Sequence, residues 1–475
     1  MRWATVGMFR RASHARSASC GSPDRVRERG HRVILQGGRV LVGESLREEK
    51  ADIRIEDGRI AEVAPGLAPA SGEEVLDVRD TWVLPGFVQA HVHTCQTLFR
   101  NTADDMELLD WLGERIWPFE AWLDEAALEA SSRLGLYELL AGGTTTILDM
   151  ATVHHTDAVF QAAEDSGIRY VGGKCLMDFD DTGRCPDGLL EEARAALDAT
   201  ERLIARWHGA ADGRIAYAIA PRFAVSSTDE LLLGVAELAA RMGLGVHTHA
   251  SENVKECEVV RRRTGHENVL FLGKMGLLGP SSVLAHCIHL NDEEIDLLAS
   301  TGSHVAHCPS SNLKLASGVA RVPELLDRGI NIALGADGAP CNNRLDAFKE
   351  MRLASLIQKP LHGPKTLPAR KMLSMATLHG ARALGLDAEV GTIDVGKRAD
   401  LVVIDGASPW MSTGDPLPAI VFACGPESVR DVLVEGRVVK RDFEVLTLPR
   451  VRVLRDAQNA FNRLAHHFPR IGVQS

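Results

Sequence analysis

The sequence predicts an α/β protein, a (β/α)8 barrel of the TIM type carrying a smaller composite β-sandwich. Three observations predict it. Eight short apolar strand candidates, each followed by a helix-like stretch, alternate over roughly 300 residues. Alternation of apolar and polar residues, the pattern of half-buried strands, marks both ends of the chain. Polar residues gather where the barrel candidates end, the face on which such barrels carry their chemistry. At 475 residues, about three times the usual domain length, the chain has room for both units.

The first 32 residues stand apart. They hold eight arginines (Arg2, Arg10, Arg11, Arg16, Arg25, Arg27, Arg29 and Arg32), only Asp24 and Glu28 as acids, and no apolar core that a secretory signal needs. A disordered tail, or a start codon assigned too early, is expected over 1–32. From Val33 to Trp82 the β pattern begins, with a hairpin signal at Asp57-Gly58 between Ile53-Arg54-Ile55 and Ile60-Ala61-Glu62-Val63. The pattern returns in Leu401-Val402-Val403-Ile404 and in Val432 to Val439. Residues 33–82 and 390–445 are therefore expected to pair into one sandwich, around a barrel over 83–389 and ahead of a helical extension over 446–475. The barrel candidates are Val83–Val92, Thr144–Met150, Arg169–Met177, Arg214–Phe223, Gly245–His249, Ser282–His286, His304–His307 and Asn331–Asp337.

Composition excludes several classes. With 45% hydrophobic and 25% charged residues the chain reads as globular. Its apolar runs are too short to span a bilayer, so no membrane partner is expected. A net charge of −11, from 53 basic and 64 acidic residues, gives no global field for phosphate backbones, so no nucleic acid is expected either. Nine scattered cysteines without a Cys-x-x-Cys pair fit reduced, cytoplasmic usage.

His91-Val92-His93 ends the first candidate, and residues two apart on a strand share a face. Both imidazoles can point into a barrel mouth. Alone the pair is a weak signal and fits hydrogen-bonded core histidines better than a metal. His249 with Glu252, His286, and Asp337 add nitrogen and hard oxygen donors at the fifth, sixth and eighth strand ends, a set that suits zinc with an open position for water. His247 shares a strand face with His249 and is the rival ligand, deeper in the barrel and without a glutamate three residues on.

The combination of Pro85-Gly86-Phe87 running into His91-Val92-His93, Gly143-Thr144-Thr145-Thr146, His249 with Glu252, Ala285-His286-Cys287, His307-Cys308-Pro309-Ser310-Ser311-Asn312 and Asp337-Gly338 resembles the amidohydrolase superfamily. Within it the resemblance is to the aminohydrolase branch of guanine deaminase, deaminases of 5'-modified adenine nucleosides, and triazine hydrolases. That resemblance implies a metal held by His91, His93, His249 and Asp337, with Glu252 as proton shuttle and His286 orienting water or substrate. Zn2+, one per chain, is the implied cofactor, with Fe2+ as the alternative. Relatives with two metals place a bridging lysine or acid at the end of strand four, where this chain has Pro221-Arg222; Lys174 lies on strand three. A metal-free structural relative would lack several ligands, and every position is filled here.

The implied reaction is hydrolytic deamination at C6 of a 5'-modified adenine nucleoside such as 5'-deoxyadenosine or methylthioadenosine. The Ser311 to Gly318 tract and the run from Asp337 through Asn343 to Leu356 resemble those deaminases. Gln96, Arg222 and Phe223 instead resemble guanine deaminase, and a triazine remains a third substrate class. Gln96, Arg222 and Phe223 are the candidate substrate residues, with Arg222 bonding the purine edge or a nearby hydroxyl, and His307 is either a pocket or a packing residue. The long stretch between His93 and Thr144 carries Phe99, Trp111, Trp117, Phe119 and Trp122; it forms a lid stacking Trp117 on a planar ring, or helices burying these aromatics. The expected partners are a small purine or nucleoside and other copies of the chain in a homo-oligomer.

Overall fold

A computed structural model describes residues 32–466; the expected tail lies outside the described residues, apart from Arg32. Strands from both chain ends are hydrogen-bonded into one nine-stranded sheet. Arg32–Val42 pairs antiparallel with Arg47–Glu56, which turns into Arg59–Ala64. Asp57 and Gly58 there both take positive φ, 49° and 80°, the conformation a two-residue hairpin requires. Thr81–Pro85 is the seam: it runs parallel to Arg32–Val42 and pairs antiparallel with Leu401–Asp405, aligning Val83 with Val403. Val33, Leu35, Val40, Ile53, Val403 and Leu433 pack one face of this sheet into a core of their own. Pairing of the two ends, expected of a sandwich, thus takes the form of a continuous sheet.

The candidate Val83–Val92 divides at Gly86. Thr81–Pro85 belongs to the nine-stranded sheet and Phe87–His93 to the parallel strands. Parallel pairs run from Ile215–Tyr217 through Arg169–Gly173, Thr144–Met150 and Phe87–His93 to Asp337–Gly338, and from Val246–Ala250 through Ser282–His286 and His304–His307 to Ile332–Leu334. Between successive strands run helices, as α/β alternation demands. Asn253 and Asn291 start two of them with capping boxes, and Gly265, at φ 72°, ends the first.

Three further candidates are broken in the structure. Arg169–Met177 becomes Arg169–Gly173 and Cys175–Leu176; Arg214–Phe223 becomes Ile215–Tyr217 and Ala220–Pro221; Asn331–Asp337 becomes Ile332–Leu334 and Asp337–Gly338. One of these breaks has a visible cause in a neighbouring strand. At Gly335 a Cβ would stand 2.6 Å from the His91 carbonyl oxygen, so only glycine lets the last strand pass this close to the first. The short second pieces then re-aim their residues, which carries Asp337 over the ends of the other strands.

The region between His93 and Thr144 folds as short helical turns followed by the helix Glu125–Ala141, whose N-cap Asp124 accepts from the Ala127 N–H. Phe99, Trp117 and Phe119 are buried, and the Phe99 and Phe119 rings lie 5.1 Å apart. The C-terminal helix Arg450–Leu464 buries Val453, Ala457, Ala460 and Leu464, the spacing of an apolar helical stripe.

Candidate active site

Five side chains converge at the C-terminal ends of the parallel strands. His91 and His93 come from Phe87–His93, His249 from Val246–Ala250, His286 from the last position of Ser282–His286, and Asp337 from the first position of Asp337–Gly338. Asp337 Oδ1 lies 3.2 Å from His91 Nε2 and 3.4 Å from His93 Nε2. His286 Nε2 is 3.9 Å from Asp337 Oδ2. One donor atom from each of His91, His249, His286 and Asp337 falls within 4.8 Å of all the others, and His93 Nε2 stands 3.2 Å from His249 Nε2. Both His286 and Asp337 take positive φ, 73° and 60°, a sparsely populated conformation for side chains of this size, and strain of this kind gathers at functional sites.

These residues fit a cation. His93 Nδ1 donates to the Met150 carbonyl at 2.8 Å and His249 Nδ1 to the Arg222 carbonyl at 2.7 Å. A carbonyl only accepts, so in each neutral ring the proton sits on Nδ1 and Nε2 is a lone pair. Two lone pairs facing each other at 3.2 Å have nothing to share except an ion between them. Burial pushes His91 down to about 4 and His249 well below the usual range, which keeps both rings neutral. Burial works to raise Asp337, but the hydrogen bond and charge of His91, with His286 and His93, outweigh it and hold Asp337 below the usual range. His286 Nε2 is buried without a hydrogen-bond partner. His286 thus stands among the possible ligand atoms, although the sequence assigns it to orienting water.

Glu252 Oε2 lies 3.5 Å from His286 Nε2. Burial, with the charges of Asp337 and Glu256 beside it, lifts the Glu252 carboxyl well above the ordinary range, the direction a proton donor needs. Glu256, which the sequence did not single out, accepts from the Glu252 and Asn253 backbone N–H groups at 2.7 and 3.2 Å and fixes that turn. Ser311 donates to Asp337 Oδ2 at 2.6 Å, and Asn312 Oδ1 accepts from His286 Nδ1 at 2.8 Å.

A narrow cavity opens above the cluster, lined by Gln96, Arg222 and Phe223 as expected, and also by Leu108, Trp111 and Leu112. Two expectations need correction. Trp117 does not line it: the side chain is fully buried, as apolar rings on helical turns often are. Trp111 is the lid aromatic that reaches the cavity. Arg222 does not offer a free guanidinium either, since Glu120 takes it in a buried ion pair and also accepts from Gln96 Nε2 at 2.8 Å. Glu120 carries no sequence signal, being one acid in a stretch of helical turns. His307 is buried, with both ring nitrogens unpartnered, and lies outside the cavity lining. His247 is fully buried behind His91.

Residues 82–439 match the sequence profile of the amidohydrolase family. The 5'-deoxyadenosine deaminase of Methanothermobacter thermautotrophicus is 40% identical over 430 residues, 90% of this chain and 97% of that protein. The 5-methylthioadenosine/S-adenosylhomocysteine deaminase of Moorella thermoacetica is 42% identical over 84% of this chain and 92% of its own length. Among solved structures, a zinc-bound adenosine deaminase from Xanthomonas campestris superposes with a TM-score of 0.84 at 29% identity, covering 91% of this chain and 98% of that one. Guanine deaminase from E. coli superposes with a TM-score of 0.77 at 29% identity, over 87% of this chain and 99% of its own.

Proposed function

The chain belongs to the amidohydrolase family, and from that premise we propose that it is a metal-dependent hydrolytic deaminase acting at C6 of a 5'-modified adenine nucleoside. The observation that carries the chemistry is the pair of Nε2 lone pairs on His93 and His249, 3.2 Å apart, beside a buried Glu252 whose carboxyl is pushed up. The names of the relatives carry the substrate: the two named above are a 5'-deoxyadenosine deaminase and a 5-methylthioadenosine/S-adenosylhomocysteine deaminase.

His91, His93, His249 and Asp337, with His286 beside them, would hold one zinc ion, and iron is the alternative. When bound, the ion supplies Lewis acidity that makes water a nucleophile near neutral pH. Asp337 accepts the proton that the attacking water gives up. Glu252 delivers its proton to the ring nitrogen next to C6, then carries one to the leaving amine, so that ammonia departs. His286, its ring held through Nδ1 by Asn312, orients the attacking water. Water oxygen joins C6, the C6–N bond breaks, and the product is a ring carbonyl. A single ion is favoured because strand four ends in Pro221-Arg222, with neither lysine nor acid to bridge a second, and Lys174 on strand three is held by Glu191 at 2.5 Å.

The same premise supports closure of the parallel strands into one (β/α)8 barrel. Val88, Leu148, Val171, Ala216, Val283, Ala306 and Ala333, one from each of seven strands, share a single apolar cluster. A cytoplasmic setting fits the eight unpaired cysteines among the described residues, and no described helix is long and apolar enough to cross a membrane. Exposed Leu446, Val451 and Leu454 support a homo-oligomer.

Ammonia release from 5'-deoxyadenosine, methylthioadenosine, S-adenosylhomocysteine, adenosine, guanine and a chlorotriazine tests the assignment. The adenine nucleosides are expected to lead in kcat/KM. Guanine well ahead of every nucleoside would make Gln96 and Arg222 the better guides, and chloride release as the best activity would overturn both purine readings.

A further inference from the structure

His247 stands two residues before His249 on the same strand, fully buried. Its Nε2 lies 2.8 Å from His91 Nδ1, with the two ring planes at 83°. Its other nitrogen, Nδ1, has no hydrogen-bond partner. A contact this short between two ring nitrogens needs one proton in it, and two neutral arrangements provide one. In the first, His91 keeps its proton on Nε2, facing Asp337 Oδ1 at 3.2 Å, and His247 Nε2–H donates to His91 Nδ1. In the second, His91 Nδ1–H donates to His247 Nε2, His91 Nε2 becomes a lone pair, and the His247 proton moves to Nδ1.

We propose that His247 is a positioning residue that sets the tautomer of His91, and that metal uptake switches the two rings together from the first arrangement to the second. The inference rests on the metal-site reading above. Only the second arrangement offers His91 Nε2 to a cation. Each ring holds one proton before and after; the net change is one proton moved from His91 Nε2 to His247 Nδ1, with no change of charge. The first arrangement is favoured without an ion, because it leaves a bare acceptor at His247 Nδ1, whereas the second leaves an unsatisfied buried N–H, the rarer and costlier orphan.

What singles out His91 is an asymmetry among the histidines of the cluster. His93 and His249 lean on the carbonyls of Met150 and Arg222, which only accept, so their tautomers are fixed whether or not an ion is present. His91 leans on an imidazole, which can exchange the roles of donor and acceptor. Groups that hold a ligating histidine in this way act on metal affinity through tautomer and basicity.

The test uses the full chain labelled with 15N-histidine, zinc-loaded and zinc-stripped, with the His247 ring assigned by its loss in His247→Gln. Long-range 1H–15N correlation should find the His247 proton on Nε2 in the stripped protein and on Nδ1 in the loaded one. Chelator competition should show His247→Leu weakening zinc binding about 10–100-fold, with His247→Gln restoring most of it, since the amide oxygen can accept from His91 Nδ1. A loaded protein with the His247 proton still on Nε2, or His247→Leu within twofold of wild type, overturns the switch alone. Wild-type protein that takes up no zinc overturns the metal reading as well. Should His247→Leu fail to fold, the tautomer measurement on wild type still decides.

Discussion

The Arg222 guanidinium donates to both carboxylate oxygens of Glu120, at 2.6 and 3.2 Å, across 102 residues of sequence. Both side chains are almost wholly buried, and Gln96 joins them by donating to Glu120 Oε1. The pair sets one wall of the cavity, because Arg222 and Gln96 line it while Glu120 stands behind them. Removing one partner of a buried pair leaves the other charge uncompensated, typically a loss of about 3–5 kcal/mol. Glu120→Ala is therefore expected to lower stability by about that much and to raise KM as the wall loosens. Urea melts and steady-state kinetics check it; a stable variant with unchanged KM would remove Glu120 from the substrate wall.

Zinc content follows from the donor set. Elemental analysis should find about one equivalent per chain, and Asp337→Ala and His249→Ala should each lose both the ion and the activity. Two full equivalents would contradict the single-ion assignment.

Glu252 separates binding from proton transfer. Because it stands beside the ligand atoms and outside their cluster, Glu252→Gln should keep the zinc while losing about 10²–10⁴-fold in rate, the usual contribution of general acid–base catalysis. Loss of zinc in this variant would make Glu252 a ligand.

Much of this site was legible because its order is local. His91 and His93 share a face by strand period alone, and Glu252 follows His249 within one turn of chain. Long-range pairing was not legible. Nothing near Glu120 announces Arg222, and nothing near His91 announces His247, since those contacts exist only once separate strands are side by side. The breaks at Lys174, at Ala218-Ile219 and at Gly335-Ala336 were hidden for a related reason. An apolar run looks continuous whether or not the neighbouring backbone crowds it, and the crowding at Gly335 comes from His91, more than 200 residues away. Trp117 misled because aromatic content marks burial as readily as it marks a binding wall.

Glu350 gives a pH signature away from the metal cluster. Burial lifts its carboxyl to about 7, against the lowering effect of hydrogen bonds from Ser310 and Asn342. The folded protein then binds more protons than the unfolded chain between the ordinary carboxylate value and about 7. Stability is expected to fall as pH rises through that window, by about 3 kcal/mol from this group. Urea unfolding at pH 5 and pH 8 should show wild type losing that increment relative to Glu350→Gln. Equal pH dependence in the two proteins would mean that Glu350 titrates normally.

The lid must move for a nucleoside to enter. The cavity over the cluster is about 20 Å³, space for a water molecule or two, whereas sites enclosing small ligands run to several hundred. Leu108, Trp111 and Leu112 close it, and they sit on a short helix, Leu108–Trp111, that passes directly into a π-helical turn at Leu112–Ile116. Such turns leave backbone hydrogen bonds strained and are frequent at functional sites. Two ion pairs tie this segment down from outside, Asp110 with Arg184 at 2.5 Å and Glu107 with Lys255. Both are exposed, so each is worth at most about 1 kcal/mol, and global stability should barely register their loss. Local opening should register it. In Glu107→Gln/Asp110→Asn, amide exchange across 107–116 is expected to speed up about threefold to tenfold, while the melting temperature stays nearly constant. Trp111→Ala, which removes the cover itself, should raise KM more than it lowers kcat. If exchange in the double variant matches wild type, the lid is held by its apolar contacts alone, and the ion pairs have no part in gating.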